Sequence, residues 1–143
     1  MLLEPRKIAV LVVDDHAGMR EGIRAVVNAQ PDMVVVGEAG DGQQAIQQFV
    51  DLRPDVSLLD WNLPVVQGET VLNTLTAGLP KARVIVISAL NDDACMRRAL
   101  SLGAQSYLHK DMLRREMLPA IRAVHDGQRY IPAAIEKRLK NGH

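Results

Sequence analysis

The sequence has 143 residues, of which 48% are hydrophobic and 24% are charged, a composition typical of one folded domain rather than a disordered segment. Its 17 Lys and Arg balance its 17 Asp and Glu, and it holds one Phe, two Tyr and one Trp. This balance argues against a generally basic nucleic-acid binder, and the scarcity of rings argues against a base-stacking module. The single cysteine, Cys95, excludes an internal disulfide and a cysteine-only zinc site.

No targeting segment and no membrane span are predicted. Charged Glu4 and Arg6 precede the first apolar run and Asp14 and Asp15 end it, so this run is too short for a secretory signal. No window approaches the roughly 18 uncharged apolar residues of a membrane helix. We therefore expect a cytoplasmic protein that makes no contact with a membrane.

Five short runs rich in Val, Ile and Leu recur along the chain and predict five β-strands. The first and fourth runs are continuously apolar, as in strands that are buried on both faces. In chain order the predicted strands cover residues 8–13, 33–36, 56–59, 84–87 and, more weakly, 106–108.

Between these runs, apolar residues recur three and four positions apart, the spacing of a helix with one buried face. Pro31, Pro54 and Pro80 each precede a strand, and Gly103 follows the fourth helix, where a C-cap glycine is expected. The pattern predicts five helices, whose apolar stripes include Ile23, Phe49, Leu72, Ala99 and Ile121.

Strand and helix thus alternate five times, which predicts a parallel sheet with right-handed crossovers and helices on both faces. The expected fold is α/β and flavodoxin-like, a doubly wound (βα)5 parallel sheet with strand order 2-1-3-4-5. Residues 1–126 are predicted to form this domain. Gly127 and Pro132 then break the fifth helix, so residues 127–143 are predicted to be a linker with a short polar helix at 133–140.

Polar residues follow four of the predicted strands, and in such a sheet ligands bind beyond the carboxyl ends of the strands. Asp14 and Asp15 follow the first strand, Asp60 the third, Ser88 the fourth, and Lys110 comes just after the fifth. Clustered carboxylates suit a hard divalent cation such as Mg²⁺, while an amine and a hydroxyl can hold an anionic oxygen. Together these groups can attach a phosphoryl group to an oxygen nucleophile.

Each of these residues has a simpler explanation when it is considered alone. Asp14 or Asp15 could merely cap the first helix, Ser88 could be a turn residue, and Lys110 could be a solvated surface charge. Their joint occurrence at four adjacent strand ends favours a site, because otherwise four coincidences are needed.

Four segments together resemble the receiver domain of bacterial two-component response regulators, over residues 7–126. They are Val-Asp-Asp-His at 13–16, Leu-Leu-Asp-Trp-Asn-Leu-Pro at 58–64, Val-Ile-Ser-Ala at 86–89, and Gly-Ala-Gln-Ser-Tyr-Leu-His-Lys-Asp at 103–111. The first and last segments, with Gly127 and Tyr130-Ile131-Pro132, are most similar to the NarL/FixJ (LuxR-type) subfamily. In two places the chain departs from the common pattern: Asp111 stands where many receivers have Pro, and Ser88 where many have Thr.

The resemblance implies an acceptor and a metal site. Asp60 matches the phosphoacceptor, which receives a phosphoryl group from a sensor histidine kinase with Mg²⁺. Asp15 matches the direct metal ligand, Asp14 its neighbour that acts largely through water, and Asn62 the residue that lends its backbone carbonyl. Such a domain is a switch with its own phosphorylation and dephosphorylation chemistry rather than an enzyme.

The resemblance also implies how the switch works. Ser88 and Lys110 match the pair that contacts the phosphoryl oxygens, and Tyr107 matches the aromatic residue whose rotamer accompanies activation of the helix 4–strand 5–helix 5 face. Leu90, two residues after Ser88, is expected to flank the path of the hydrolytic water and to slow dephosphorylation relative to a Leu90→Glu variant. A homodimer is expected on phosphorylation. In this subfamily a helix-turn-helix output domain follows the linker, so DNA contact is expected only through a domain that is not present in these 143 residues.

Two other interpretations stay open from the residues alone. The chain could be a stand-alone or degenerate receiver that acts only as an interaction module, although the intact Asp14, Asp15 and Asp60 argue against it. It could also be a phosphatase of the haloacid dehalogenase type, but that mechanism needs an acid two residues after the nucleophile, where Asn62 stands.

Overall fold

Five strands form one parallel sheet in the order β2-β1-β3-β4-β5, in a computed structural model that describes residues 6–78, 82–89 and 93–141. The flavodoxin-like strand order predicted from the sequence is therefore confirmed. The strands are β1 (Ile8–Val13), β2 (Met33–Ala39), β3 (Val56–Asp60), β4 (Val84–Ser88) and β5 (Ser106–His109). The helices are α1 (Ala17–Asn28), α2 (Gly42–Leu52), α3 (Gly68–Gly78), α4 (Asp93–Ser101), α5 (Leu113–His125) and α6 (Ala133–Asn141), with a 3₁₀ turn at Lys110–Met112.

Two hydrophobic clusters lie on opposite faces of the sheet, because alternate residues of a strand point to opposite sides. Leu11 and Val13 of β1 belong to the cluster that includes buried residues of α2, α3, α4 and α6. Val10 and Val12 of the same strand belong to the cluster with α1 and α5. Burying each such side chain fully stabilises the fold by roughly 1.5–3 kcal/mol, so the sheet is a rigid platform for the residues at its ends.

The structure extends four of the predicted strands. β2 continues to Ala39 across a register shift in its pairing with β1, while β3, β4 and β5 each end one residue later than predicted, at Asp60, Ser88 and His109. In each case the apolar run stops before the backbone pairing does. The polar residues that end β3 and β4 are two of the proposed site residues.

Gly103 ends α4 as the sequence predicts. Its φ of 108° is left-handed, its N–H donates to the carbonyl of Leu100 (3.2 Å), and the N–H of Ala104 donates to that of Ala99 (3.1 Å). This pair of bonds is a Schellman motif, which satisfies carbonyls at the end of the helix.

The predicted tail helix is present as α6, but it differs from a solvated linker helix. It packs against α4 and buries Ile135, which is 1% exposed. Ile135 and Leu139, four positions apart, form a short apolar stripe, and both pack against the cluster that includes α4. The charged residues of the same helix outnumber this pair, which is why the sequence favours a solvated helix. Two sequence predictions, the strand boundary at Pro80 and the role of Leu90, lie outside the described residues.

Across the described part of the chain, no helix combines the length and the apolar character that crossing a bilayer requires.

Candidate functional site

The strand register brings the polar strand ends together. Val13 of β1 lies opposite Leu59 of β3, so the next residues, Asp14 and Asp60, are neighbours at the same rim of the sheet. Ser88, the last residue of β4, lies opposite His109 of β5. The rim that the sequence predicts is thereby assembled by four adjacent strands.

Lys110 joins the two buried carboxylates. Its Nζ lies 3.4 Å from Oδ2 of Asp14 and 3.5 Å from Oδ2 of Asp60. Both aspartate side chains are only 4% exposed, and the lysine side chain is 19% exposed. One ammonium therefore shares two carboxylates in a partly desolvated setting, where ionic interactions are stronger than in water. Lys110 is not the solvated surface charge that was the alternative.

The electrostatics of this pair leave Asp60 under-compensated. Burial raises the pKa of Asp60 above its usual value, and the nearby charge of Asp14 raises it further. The backbone N–H of Asn62, which donates to Oδ1 of Asp60 (3.1 Å), and the ammonium of Lys110 both act to lower the pKa. The raising causes prevail, so the site favours any additional positive charge near Asp60.

The turn after β1 carries the remaining acidic residue. The N–H of His16 donates to Oδ1 of Asp14 (2.9 Å), and Nδ1 of the same histidine lies 3.2 Å from Asp14 and 3.0 Å from Asp15. His16 itself is the N-cap residue of α1, so neither aspartate occupies the capping position that was the alternative explanation. The Asp14 side chain turns toward the sheet rim, while Asp15 is more exposed, at 35%.

These groups form a set of potential metal ligands. One atom each of Asp14, Asp15, His16 and Asp60 can be chosen so that all lie within 4.8 Å of one another. Three of the four donors are carboxylates, and hard oxygen donors with net negative charge fit Mg²⁺ better than a softer transition metal. The chemistry of the donor set is therefore compatible with a magnesium site. The backbone N–H of Asn62 donates to Oδ1 of Asp60 (3.1 Å), which places Asn62 beside this cluster.

Arg20 is a site residue that the sequence analysis missed. Its Nη1 donates to the backbone carbonyl of Asp14 (2.6 Å), and its Nε lies 3.4 Å from Oε1 of Glu38 on β2. The guanidinium thus ties the turn that carries the acidic residues to the edge of the sheet. The one available signal was its position one helical turn after His16, which directs a long side chain back toward the turn before α1.

Ser88 is a buried residue of the rim, whereas Tyr107 lies further down β5, away from the strand ends. Ser88 is 1% exposed at the end of β4, and Tyr107 is 2% exposed on β5, opposite Val86. Tyr107 belongs to the same hydrophobic cluster as Met96 and Ala99 of α4. Nε2 of His109 lies 3.1 Å from the carbonyl of Ala89, the residue after Ser88, and so joins the ends of β4 and β5.

Known proteins resemble this chain in sequence. The model of the response regulator receiver domain matches residues 10–122. The transcriptional regulatory protein YxjL of Bacillus subtilis is 37% identical over 85% of this chain and 56% of its own length. The nitrate/nitrite response regulator protein NarL of Escherichia coli is 35% identical over 88% of the chain and 58% of its own length.

The fold comparison agrees. The signal receiver domain of the response regulator NarL from Mycobacterium tuberculosis superposes with a TM-score of 0.82 at 35% identity, covering 87% of this chain and all of that domain. The chain spans little more than half the length of the curated relatives it matches.

Receiver domains are generally switches rather than enzymes, and they bind Mg²⁺ at an acidic pocket of the kind that Asp14, Asp15 and Asp60 form here. The family model covers most of the described residues, including the acidic turn, Asp60 and Lys110. The sequence relatives and the solved structure also agree in type. The chain belongs to the response regulator receiver domain family, in its NarL/LuxR-type branch.

Proposed function

We propose that Asp60 accepts a phosphoryl group from a phosphohistidine of a sensor kinase and that the acyl phosphate switches the α4–β5–α5 face. The observation that carries this proposal is the buried carboxylate of Asp60, which shares Lys110 with Asp14 and whose pKa is raised. A carboxylate that is held close to a cation, yet is incompletely compensated, is suited to receive a group accompanied by further positive charge.

The transfer is an in-line displacement at phosphorus. A carboxylate oxygen of Asp60 forms the new P–O bond as the P–N bond to the kinase histidine breaks. The imidazole leaves with the bonding electron pair and takes up a proton. The ammonium of Lys110 neutralises charge on the phosphoryl oxygens, and the hydroxyl of Ser88 donates a hydrogen bond to one of them.

The side chains of Asp14, Asp15 and Asp60, with the backbone carbonyl of Asn62, would hold Mg²⁺. When bound, the ion supplies charge neutralisation for the acceptor carboxylate and the incoming phosphoryl oxygens. The clustering of the three carboxylates and the turn held by Arg20 support this assignment. Small phosphodonors are expected to phosphorylate Asp60 as well, and water to remove the group again.

The acyl phosphate adds about 1.5 to 2 negative charges next to Ser88 and Lys110. Ser88 then turns its hydroxyl toward the phosphoryl group, and Tyr107 moves into the space that Ser88 leaves. The remodelled α4–β5–α5 face supports homodimerisation on phosphorylation. We propose further that residues 127–143 lead toward a helix-turn-helix output domain of a longer regulator, and that any DNA contact is made by that domain. A cytoplasmic location follows from this role, because the kinase and DNA are reached there.

The test is phosphorylation with Mg²⁺ and acetyl phosphate, followed by intact-mass analysis. The expected result is one phosphate per chain, stable in acid, labile to hydroxylamine, and absent from Asp60→Asn. The matched control Asp51→Asn removes an exposed carboxylate elsewhere and is expected to label normally. Sustained phosphate release from many esters would instead identify a phosphatase. Complete absence of labelling would identify an interaction module.

A further inference from the structure

The C-terminal helix α6 occupies the face on which the proposed switch acts. Ile135 of α6 is 1% exposed and belongs to the same hydrophobic cluster as Tyr107 of β5 and Met96 and Ala99 of α4. Residues of the tail therefore share one packed core with the proposed switch residue. A change in the packing of Tyr107 is expected to alter the packing of Ile135 through this shared cluster, because such cores are close-packed.

Polar contacts hold the tail to all three elements of this face. On α4, Asp93 pairs with Arg138, and Nη2 of Arg97 donates to the carbonyl of Leu139 (2.8 Å). At the start of β5, Tyr130 forms an isolated parallel bridge with Ser106, and its N–H donates to the carbonyl of Gln105, the residue before the strand (2.9 Å). On α5, Glu116 accepts a hydrogen bond from the hydroxyl of Tyr130. The segment from Tyr130 to Leu139 thus bridges α4, β5 and α5.

We propose that residues 128–141 are an intramolecular occupant of the α4–β5–α5 face, and that modification of Asp60 releases α6 from it. This inference rests on the proposed function and adds an autoinhibitory contact to it. In the resting protein, α6 covers the surface that a dimer partner or an output domain would use. After phosphorylation the surface is free.

The contacts of α4 explain why docking and modification oppose each other. Asp93, the anchor for Arg138, is the first residue of α4 and lies five residues after Ser88 in the chain. The carbonyl of Ala89 is held by His109 at the base of this connection. In this proposal, movement of Ser88 toward Asp60 repositions Tyr107, which shares a hydrophobic cluster with Met96 of α4 and Ile135 of α6. The Asp93–Arg138 pair between α4 and α6 then weakens together with that packing.

The docking of α6 is also weak enough to be reversed. The helix has nine residues, a length that is marginal in water without tertiary support, and Ile135 is its one buried side chain among the described residues. A cleft of about 350 Å³ remains between α6 and the start of α5, lined by residues that include Met112, Arg115 and Ile135. Such a loosely seated element opens well below the free energy of global unfolding.

Hydrogen–deuterium exchange of the 143-residue chain tests the release directly. Mg²⁺ with beryllium fluoride serves as the probe, because this complex mimics an acyl phosphate. Amides of residues 133–141 are expected to exchange at least about fivefold faster with the probe than without it, whereas amides of β1 stay protected. Trp61 fluorescence is recorded in parallel and reports whether the probe occupies the site.

Charge variants test the reciprocal effect, since linkage requires that weaker docking favours modification. In Arg138→Glu, the apparent affinity for beryllium fluoride is expected to rise about threefold. Lys137→Glu is the matched control, because it makes the same charge change at an exposed position of the same helix. The exchanged pair Asp93→Arg with Arg138→Glu restores opposite charges and is expected to return the affinity to that of the unaltered chain.

The possible outcomes separate this inference from the proposed function. If Trp61 responds to the probe but exchange in residues 133–141 is unchanged, α6 is only a structural element and the inference is wrong. Equal affinities in Arg138→Glu and Lys137→Glu would also contradict it. If Trp61 does not respond and no Asp60 phosphate forms, the proposed function fails, and this inference fails with it.

Discussion

Lys110 does not fully balance the two carboxylates it contacts, and this imbalance defines the site. Its ammonium lies at nearly equal distances from Asp14 and Asp60, yet the pKa of Asp60 is raised because burial outweighs that attraction. A protein interior selected only for stability would not keep two buried carboxylates with one shared cation. The arrangement is instead typical of a functional site, where stability is given up for chemistry.

Asp60→Asn is therefore expected to stabilise the metal-free protein at neutral pH by about 1 kcal/mol. Because the folded-state pKa is raised, the native protein binds more protons than the unfolded chain between the two pKa values, so its stability falls as pH rises through that window. The advantage of the variant is expected to disappear at and below the ordinary aspartate pKa of about 3.9. Urea denaturation in EDTA at several pH values measures it.

The control for this measurement is Asp51→Asn, which removes an exposed carboxylate on α2. It is expected to show no comparable gain at neutral pH. A less stable Asp60→Asn protein at neutral pH would mean that the contacts of Asp60 with Lys110 and Asn62 outweigh the cost of its burial.

Arg20 is expected to act as a positioning residue for the acidic turn. In Arg20→Leu the carbonyl of Asp14 loses its donor at 2.6 Å, the turn becomes less ordered, and the affinity for Mg²⁺ is expected to fall about 10-fold, the low end for outer-shell partners of metal ligands. Arg24→Leu is the matched control, because Arg24 also pairs with Glu38 (2.5 Å) but from one turn further along α1. Isothermal titration with Mg²⁺ compares the two, and equal losses would assign the effect to Glu38 instead.

The carboxylates and Lys110 could be predicted as a site because their logic is topological. Asp14, Asp60 and Lys110 each follow a recognisable apolar run, and the strand order then makes them neighbours. Arg20 and His16 lack such a marker. Their roles depend on side-chain directions in the turn before α1, which residue spacing alone does not specify.

At the scale of elements, the positions of strands and helices could be predicted well and their ends less so. Strands were assigned from apolar runs, and a run ends where the first site residue begins, as at Asp60 and Ser88. β2 was short by three residues because it lies at the edge of the sheet, where Gly37 and Glu38 pair with β1 without being apolar. The packing of α6 was missed because Ile135 and Leu139 give only a two-residue apolar stripe in a helix rich in charged residues.

The close approach of α3 to the loop after β3 provides a test at this scale. A Cβ on Gly68 would lie 2.5 Å from the carbonyl oxygen of Trp61 and 2.8 Å from that of Asp60, both fixed backbone atoms. Gly68→Ala is therefore expected to destabilise the protein by about 1–3 kcal/mol and to weaken Mg²⁺ binding, because the backbone at Asp60 must shift.

Gly22→Ala is the matched control on α1. A Cβ there meets no atom within 4 Å, so the change removes only the flexibility of glycine in a helix. It is expected to stabilise the protein by about 0.5–1 kcal/mol and to leave Mg²⁺ binding unchanged. Thermal denaturation of both variants decides the matter, and a stable Gly68→Ala protein would show that the loop can yield.

At the scale of the whole molecule, the net charge of zero conceals an uneven distribution. Asp14, Asp15 and Asp60 meet at one rim of the sheet, whereas basic residues such as Arg97 and Arg138 lie where α6 packs on α4. The acidic end is expected to bind a cation, and the basic contacts keep the tail in place. The strand ends of β4 and β5 lie between the two regions, and a phosphoryl group on Asp60 is expected to loosen the tail by shifting the packing there.

Mg²⁺ is accordingly expected to stabilise the whole fold, since it binds the folded chain and not the unfolded one. At a free concentration ten times its Kd, the gain is about 1.4 kcal/mol, which for a chain of this length raises Tm by about 4 °C. Trp61, the only Trp in the sequence, is 8% exposed and adjoins Asp60, so its fluorescence is expected to change over the same concentration range.

The variants Asp15→Asn and Glu21→Gln separate site binding from general screening. Asp15→Asn removes an exposed carboxylate of the acidic rim and is expected to lose most of the Mg²⁺-dependent rise in Tm, whereas Glu21→Gln removes an exposed carboxylate from α1 and is expected to keep it. Sodium chloride at equal ionic strength should reproduce neither the rise in Tm nor the fluorescence change, because it only screens charges. An equal response of both variants to Mg²⁺ would place the ion elsewhere on the surface and remove the rim as the metal site.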